Sequence, residues 1–175
     1  MNPLAYAGIG ARVTPNPVLD AMTTISAWLA RTGWHLSSGG AHGADAAFAA
    51  GAPAGQRTLY LPWPGYNGHR KADCRVASRP ELAAWMAVAA RFHPAWHRCS
   101  GAVRKLHARN AAIVLGTALD RPAYALVCWT PRGEIVGGTG LALRIAADQG
   151  IPVFNLAVLS PWTVCERLRA IRRSA

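Results

Sequence analysis

The chain has 175 residues, about one domain at usual domain sizes, with 51% hydrophobic and 15% charged residues. That length excludes a mini-protein scaffold, and apolar stretches well short of the roughly 20 residues needed by a membrane helix exclude a membrane-spanning reading. Nineteen Lys and Arg against 8 acidic residues leave a net charge of +11, a field that attracts polyanions such as nucleic acid, nucleotides or anionic lipid.

No internal repeat or low-complexity tract interrupts the chain, which reads as one domain over residues 1–175. Leu4 to Ala7 is a short predicted strand ending in Gly8-Ile9-Gly10. Thr14-Pro15-Asn16-Pro17 then opens a helix with Met22, Ile25 and Leu29 on one face, stopped by Gly33. Trp34 to Ser37 is a second strand, followed by the turn Gly39-Gly40-Ala41-His42-Gly43 and a small-residue helix from Ala44 to Ala50, closed by Gly51. Arg57 to Leu61 is a third strand. From Pro62 to Arg79 glycine, proline and basic residues accumulate, which predicts a long surface loop.

Ser78 with Glu81 fits a capping box for a helix to about Phe92, and Ser100-Gly101 opens another that reaches about Leu115. Tyr124 to Trp129 is the fourth strand. The loop Thr130 to Gly138 leads to a helix from Gly140 to Gln149, a strand from Pro152 to Asn155, and a last helix introduced by Ser160-Pro161. About five or more strands recurring after helices predict a mainly parallel, doubly wound, Rossmann-like α/β sheet with helices on both faces.

In such sheets ligands bind beyond the carboxyl ends of the strands, where helix N-termini favour anions. Three glycine-rich turns fall at places of that kind: Gly8-Ile9-Gly10-Ala11-Arg12, Ser38-Gly39-Gly40-Ala41-His42-Gly43-Ala44-Asp45, and Gly137-Gly138-Thr139-Gly140. Arg12 offers a fork to a phosphate and Thr139 a hydroxyl. None of the turns matches Gly-x-Gly-x-x-Gly or the Walker loop, which disfavours ordinary NAD or ATP use. Each is also a plain strand-to-helix connection, and Asp45 a plain dipole partner in a first helical turn. Convergence of the three on one rim would make them a phosphate site, with Asp45 as a ribose or base contact.

These residues resemble the superfamily, often called SLOG, that joins the DNA-processing DprA/Smf proteins with the Lonely Guy phosphoribohydrolases. Tyr6-Ala7-Gly8-Ile9-Gly10-Ala11-Arg12 is similar to its opening strand and turn. Ser38-Gly39-Gly40-Ala41-His42-Gly43-Ala44-Asp45 is similar to the DprA segment Ser-Gly-x-Ala-x-Gly-x-Asp, and Arg109-Asn110 with Ile113 to the Arg-Asn motif. Leu61 to Asn67, His93 to Trp96 and Ile151 to Leu156 look like the DprA-like single-domain proteins of phages and prophages. The resemblance implies a Rossmann-like fold, binding of single-stranded DNA or of nucleotide derivatives, and the dimers usual in the superfamily. The chain is short for the helical module and the winged helix that usually flank the core in DprA. Against the phosphoribohydrolase motif Pro-Gly-Gly-x-Gly-Thr-x-x-Glu, the catalytic Glu position holds Arg144. An arginine cannot serve as the base, so a copy of that mechanism is not expected. Glu134, Asp45 or Asp73 would have to supply a carboxylate instead.

His93, His97 and Cys99, with His69 and Cys74 upstream, lack standard finger spacing, and the expectation is packing beside Trp96 with no metal. Cys128, in an apolar strand, reads as core. The four cysteines form no Cys-x-x-Cys pair and no leader is readable at the N-terminus, so a reduced, cytoplasmic setting is expected. Arg98, Arg104, Lys105, Arg109 and His107 surround a helix as either a solvated face or a phosphate track. Trp63, Tyr66 and Trp96 are candidate base-stacking rings; Trp28, Trp85 and Trp162 are assigned to packing. Arg167, Arg169, Arg172 and Arg173 suit the end of the last helix without any ligand.

The expected function is binding of a nucleotide or single-stranded DNA, with phosphates held by Gly8, Gly10, Arg12, Ser38, Gly39, Gly40, Ala41, Arg109, Asn110, Gly137, Gly138, Thr139 and Gly140. No cofactor is required beyond a bound nucleotide or phosphate. The alternatives are hydrolysis or transfer at the N-glycosidic bond of a nucleoside monophosphate, and sensing of a nucleotide-derived signal.

Overall fold

A computed structural model describes residues 4–70 and 72–174. The chain runs through β1 (Leu4–Gly10), α1 (Asn16–Arg31), β2 (Trp34–Ser38), α2 (Ala44–Gly51), β3 (Arg57–Leu61) and β4 (Cys74–Val76). It continues through α3 (Arg79–Phe92), α4 (Gly101–Leu115), β5 (Ala125–Trp129), α5 (Gly137–Asp148), β6 (Val153–Asn155) and α6 (Pro161–Ser174). The strands form one sheet in the order β4-β3-β2-β1-β5-β6, with every neighbouring pair parallel. This is the doubly wound α/β arrangement expected.

Alternating side chains point to opposite faces of a strand, so a sheet covered on both sides needs apolar residues at both parities. Ala7, Ile9, Leu126 and Cys128 face one layer, where Trp85 and Ala89 of α3, Ala108, Ala111 and Ala112 of α4, and Leu141 and Ile145 of α5 pack. Tyr6, Leu36, Ala125 and Val127 face the other, against Met22, Ile25 and Leu29 of α1, Phe48 of α2, and Val164 and Leu168 of α6. The Tyr6 hydroxyl donates to Ser26 Oγ at 2.8 Å and Ser26 donates on to the Phe48 carbonyl at 2.6 Å, tying α1, β1 and α2 through one buried chain. The capping box predicted at Ser78 and Glu81 starts α3, and Ser100 caps α4 through the Val103 amide.

Three boundaries differ from expectation, the first being that β1 runs on to Gly10, so that Gly8-Ile9-Gly10, expected as a turn, is strand. The predicted loop over residues 62–79 contains β4, which pairs Leu59 with Cys74 and Leu61 with Val76 on the sheet edge. Three residues are too few to carry a readable alternation, and the strand is held by the Arg57–Asp73 ion pair just before it. Helix α5 begins at Gly137 rather than Gly140, so the glycines form its first turn instead of a loop before it.

From β1 the chain winds outward through β2, β3 and β4, then returns to set β5 on the other side of β1. The strand order reverses between β1 and β5, and at that reversal the loops leaving the carboxyl ends diverge and open a crevice. No helix among the described residues is long and apolar enough to cross a membrane.

Candidate nucleotide or nucleic-acid site

At the reversal point lies a cleft of about 460 Å³. Gly10, Ala11 and Arg12 after β1, Ala41 and Asp45 after β2, and Thr130, Val136, Gly137, Gly138 and Thr139 after β5 line it, with His107, Arg109 and Asn110 of α4 as its remaining wall. A larger cavity of about 700 Å³ lies at the opposite ends of the strands, around Ala5, His35, Thr58 and Tyr124. Size does not decide between them. The smaller cleft stands at the carboxyl ends, where the first amides of α5 have no intrahelical acceptor and the helix dipole is positive.

The three glycine turns meet there but do different jobs. Gly8 lies within β1, where a side chain would come within 2.7 Å of Leu36 Cδ1 and 2.8 Å of Phe48 Cγ, so it serves packing rather than a ligand. Gly10 reaches the cleft and lets Ala44 of α2 approach β1. Gly43, at φ +77°, lies so close to the Arg12 and Ala11 carbonyls that a Cβ would stand 2.5 and 2.8 Å from them, which seats the β1 loop directly on the start of α2.

In the second turn the Ser38 hydroxyl, the Gly40 carbonyl and the Ala41 amide are already engaged. Ser38 is fully buried and donates to the Gly8 carbonyl at 2.7 Å. The Ala41 amide donates to Asp45 Oδ2 at 3.2 Å, and the Gly10 amide is a further hydrogen-bond donor to the same carboxylate. The Gly40 carbonyl accepts from Asn67 Nδ2 at 3.0 Å and contacts His69 Nε2 at 3.1 Å. Two amides expected to cradle a phosphate thus hold the protein's own carboxylate, and the expected ribose or base contact of Asp45 gives way to an internal one.

That carboxylate, only 4% exposed, lies 3.7 Å from Arg109 Nη2. Gly39 makes the pair sterically feasible: a Cβ there would fall 2.0 Å from Arg109 Nη1 and 2.7 Å from Asp45 Oδ2. Arg109 also donates to the Tyr60 carbonyl at 3.4 Å and lies 5.4 Å from the Tyr66 ring centre, while its Nε is buried without a hydrogen-bond partner. Burial pushes the Asp45 pKa up and the Arg109 pKa down, each opposed by the attraction of its partner. Arg109 is therefore mainly a buried countercharge that braces the second turn, and its Nε is the part still lacking an acceptor. Asn110 likewise braces: its Nδ2 donates to the Gly138 carbonyl at 3.0 Å, fixing the first turn of α5 against α4.

The third turn keeps its donors. Val136 precedes the helix, Gly137 (φ +61°), Gly138 and Thr139 form its first turn, and Gly140 returns its amide to the Val136 carbonyl at 2.9 Å beneath Ile135. Arg12, on the facing wall, is the cleft residue that combines a permanent charge with exposure to solvent.

The basic and aromatic candidates divide. Arg98 is exposed; Arg104 lies 5.5 Å from the Trp96 ring centre with a buried, unpartnered Nε; Lys105 and Trp63 line a smaller cavity of about 290 Å³ on the far side of Arg109. Trp63 packs edge-on to Tyr66 at 5.3 Å between centroids. Tyr66 is buried, which removes it as a base-stacking platform.

Sequence reasoning missed Asn155 and Thr130. Asn155 Nδ2 donates to Thr130 Oγ1 at 2.8 Å and its Oδ1 accepts from the Thr130 and Ala157 amides, holding the β5 loop at the edge of the cleft. A polar residue ending an otherwise apolar last strand is the signal that marks it. Also missed was the place of His107. It lies with its ring centre 4.4 Å from that of His93, and burial, His93 and Arg109 lower its pKa to about 4. The expected grouping of His93, His97 and Cys99 is corrected accordingly: His97 is exposed, and His107 takes its place beside His93 and Cys99.

No family model matches the sequence, and no curated protein does. In three dimensions the chain is similar to DNA processing protein A from Helicobacter pylori, whose structure is described for its single-stranded DNA binding mode. The TM-score is 0.58 at 18% identity over 88% of this chain, and the chain spans 65% of that structure's length. The two chains thus share a fold.

Proposed function

We propose that this protein binds single-stranded DNA, seating a backbone phosphate in the cleft between β1 and β5. The observation that carries the reading is that the first turn of α5, Gly137 to Thr139, and Arg12 face one crevice at the carboxyl ends of a parallel sheet. A phosphate there gains amide donors, the positive end of a helix dipole and a guanidinium together. The net charge of +11 supplies the long-range attraction, and the fold is that of a protein described as binding single-stranded DNA. Arg98, Arg104 and Lys105, on and before α4, add positive charge outside the lining of the cleft.

The carboxylates weighed for N-glycosidic chemistry each have a partner elsewhere. Asp45 is held by two amides and Arg109; Asp73 pairs with Arg57 beside β4; exposed Glu134 pairs with Arg132 at 2.8 Å. Arg144 donates to the Ile135 carbonyl at 3.4 Å. Binding is accordingly the reading we adopt, ahead of catalysis.

Fluorescence anisotropy with a short labelled oligothymidylate at several salt concentrations tests it. Affinity is expected to fall steeply with salt, at a slope of about −0.7 per neutralised phosphate, and Arg12→Ala to reduce that slope by about one contact. Absent or salt-insensitive binding overturns the reading. Displacement by a nucleoside monophosphate at concentrations far below those needed for unlabelled oligonucleotide would transfer the site to a small nucleotide.

A further inference from the structure

We propose that His93, Cys99 and His107 form a binding site for one zinc-class divalent cation, adjoining the cleft suggested for a phosphate, whose wall His107 shares. The three side chains come from different pieces of chain brought together by folding. His93 is the residue at which α3 ends, Cys99 sits in the turn before α4, and His107 projects from the second turn of α4. One potential ligand atom from each lies within 4.8 Å of the others, and all three residues are half-buried.

The geometry suits a small cation. Cys99 Sγ is 3.9 Å from each ring nitrogen of His93, while two such ligands on a tetrahedral zinc, with bonds of roughly 2.0–2.3 Å, stand roughly 3.6 Å apart. A contraction of a few tenths of an ångström closes the gap for this pair, and the remaining distances, within 4.8 Å, call for a further approach of His107. The Ala95 amide donates to His93 Nδ1 at 3.1 Å, which marks that nitrogen as the one carrying the lone pair; a cation replaces the amide there, and the amide, in a half-exposed turn, passes to water. A second, independent feature points to the same spot. His107 Nδ1 is buried without a hydrogen-bond partner, an uncompensated polar atom beside a thiol and another imidazole.

The ligand set selects the metal class. One thiolate and two imidazoles suit zinc and its close analogues and are poor for magnesium or calcium, which take oxygen. Among the described residues no fourth His, Cys, Asp or Glu joins the group, so a fourth position is left to water, as in three-ligand zinc sites. The cation would pin the turn over residues 94–100 to α4 and hold His107 in its rotamer at the wall of the cleft.

The test needs no DNA, so its failure and that of the DNA reading are distinguishable. Untagged full-length protein, stripped with a chelator, is titrated with cobalt(II). The expected result is one equivalent bound, with tetrahedral visible bands and a thiolate-to-cobalt charge-transfer band, all displaced by zinc. Cys99→Ser should abolish the charge-transfer band while Cys165→Ser keeps it, and His107→Gln should weaken binding at least tenfold. Because Cys99→Ser could fail to fold, the wild-type protein provides a second reading: zinc should slow alkylation of Cys99 at least tenfold, located by peptide mass. No band at stoichiometric cobalt, a band that survives Cys99→Ser, or alkylation of Cys99 indifferent to zinc overturns the proposal.

Discussion

Asp45 and Arg109 form an ion pair with almost no access to water, and removing one member strands the other. Arg109→Met is expected to destabilise the protein by about 3–5 kcal/mol, since an uncompensated buried carboxylate remains. Adding Asp45→Asn to it should recover much of the loss, because the amide is neutral and still accepts from Ala41 or Gly10. Urea midpoints for the two single variants and the double one decide this; a double variant no better than Arg109→Met alone would contradict it. Gly39→Ala drives a methyl into the same pair and should cost about 1–3 kcal/mol, read in the same titration. The types of residue at this site were legible in the sequence, because glycines, an Asp and an Arg-Asn pair stand out against an apolar background. Which partner each would take was not. A carboxylate that accepts two amides reads, along the chain, like any acid in a first helical turn.

Arg57 holds three elements at once. It donates from β3 to the Ala52 carbonyl at 3.0 Å and to the Ala49 carbonyl at the end of α2, and pairs with Asp73 at the entrance to β4. Burial works to raise the Asp73 pKa, but the hydrogen bond and charge of Arg57 more than reverse it, leaving it below the ordinary value. A carboxyl whose folded pKa lies below its unfolded one contributes stability at neutral pH that is lost as the pH falls through the folded value. Asp73→Asn should therefore lower stability at pH 7 and flatten its decline below about pH 4, measured as denaturation midpoints across the acid range. An unchanged acid limb would refute the assignment. Most elements were readable because their apolar runs match the strand and helix periods and end at glycine or proline. Strand β4 was not, since Cys74, Arg75 and Val76 depend for their pairing on a neighbouring strand and this ion pair rather than on any local pattern. The fold of the whole was therefore more legible than its edge.

Across the whole molecule, a charge of +11 acts on folding and on binding with opposite sign. Self-repulsion among nineteen basic side chains weakens the compact state, and added salt screens it. Between low and moderate ionic strength the melting temperature is expected to rise while affinity for oligonucleotide falls; parallel trends in the two measurements would separate the basic surface from DNA. One further consequence follows from the way Asp45 fills the second turn. The crevice has donors to offer at its α5 side and, at its other side, a carboxylate already matched by Arg109 and the Ala41 amide. A diphosphate spanning the two strands would find the donors of the second turn taken by that internal pair, whereas a chain of singly charged linkages needs to seat only one phosphate, on the α5 side. The protein's own carboxylate thus already holds the Ala41 amide that a second anionic group would need.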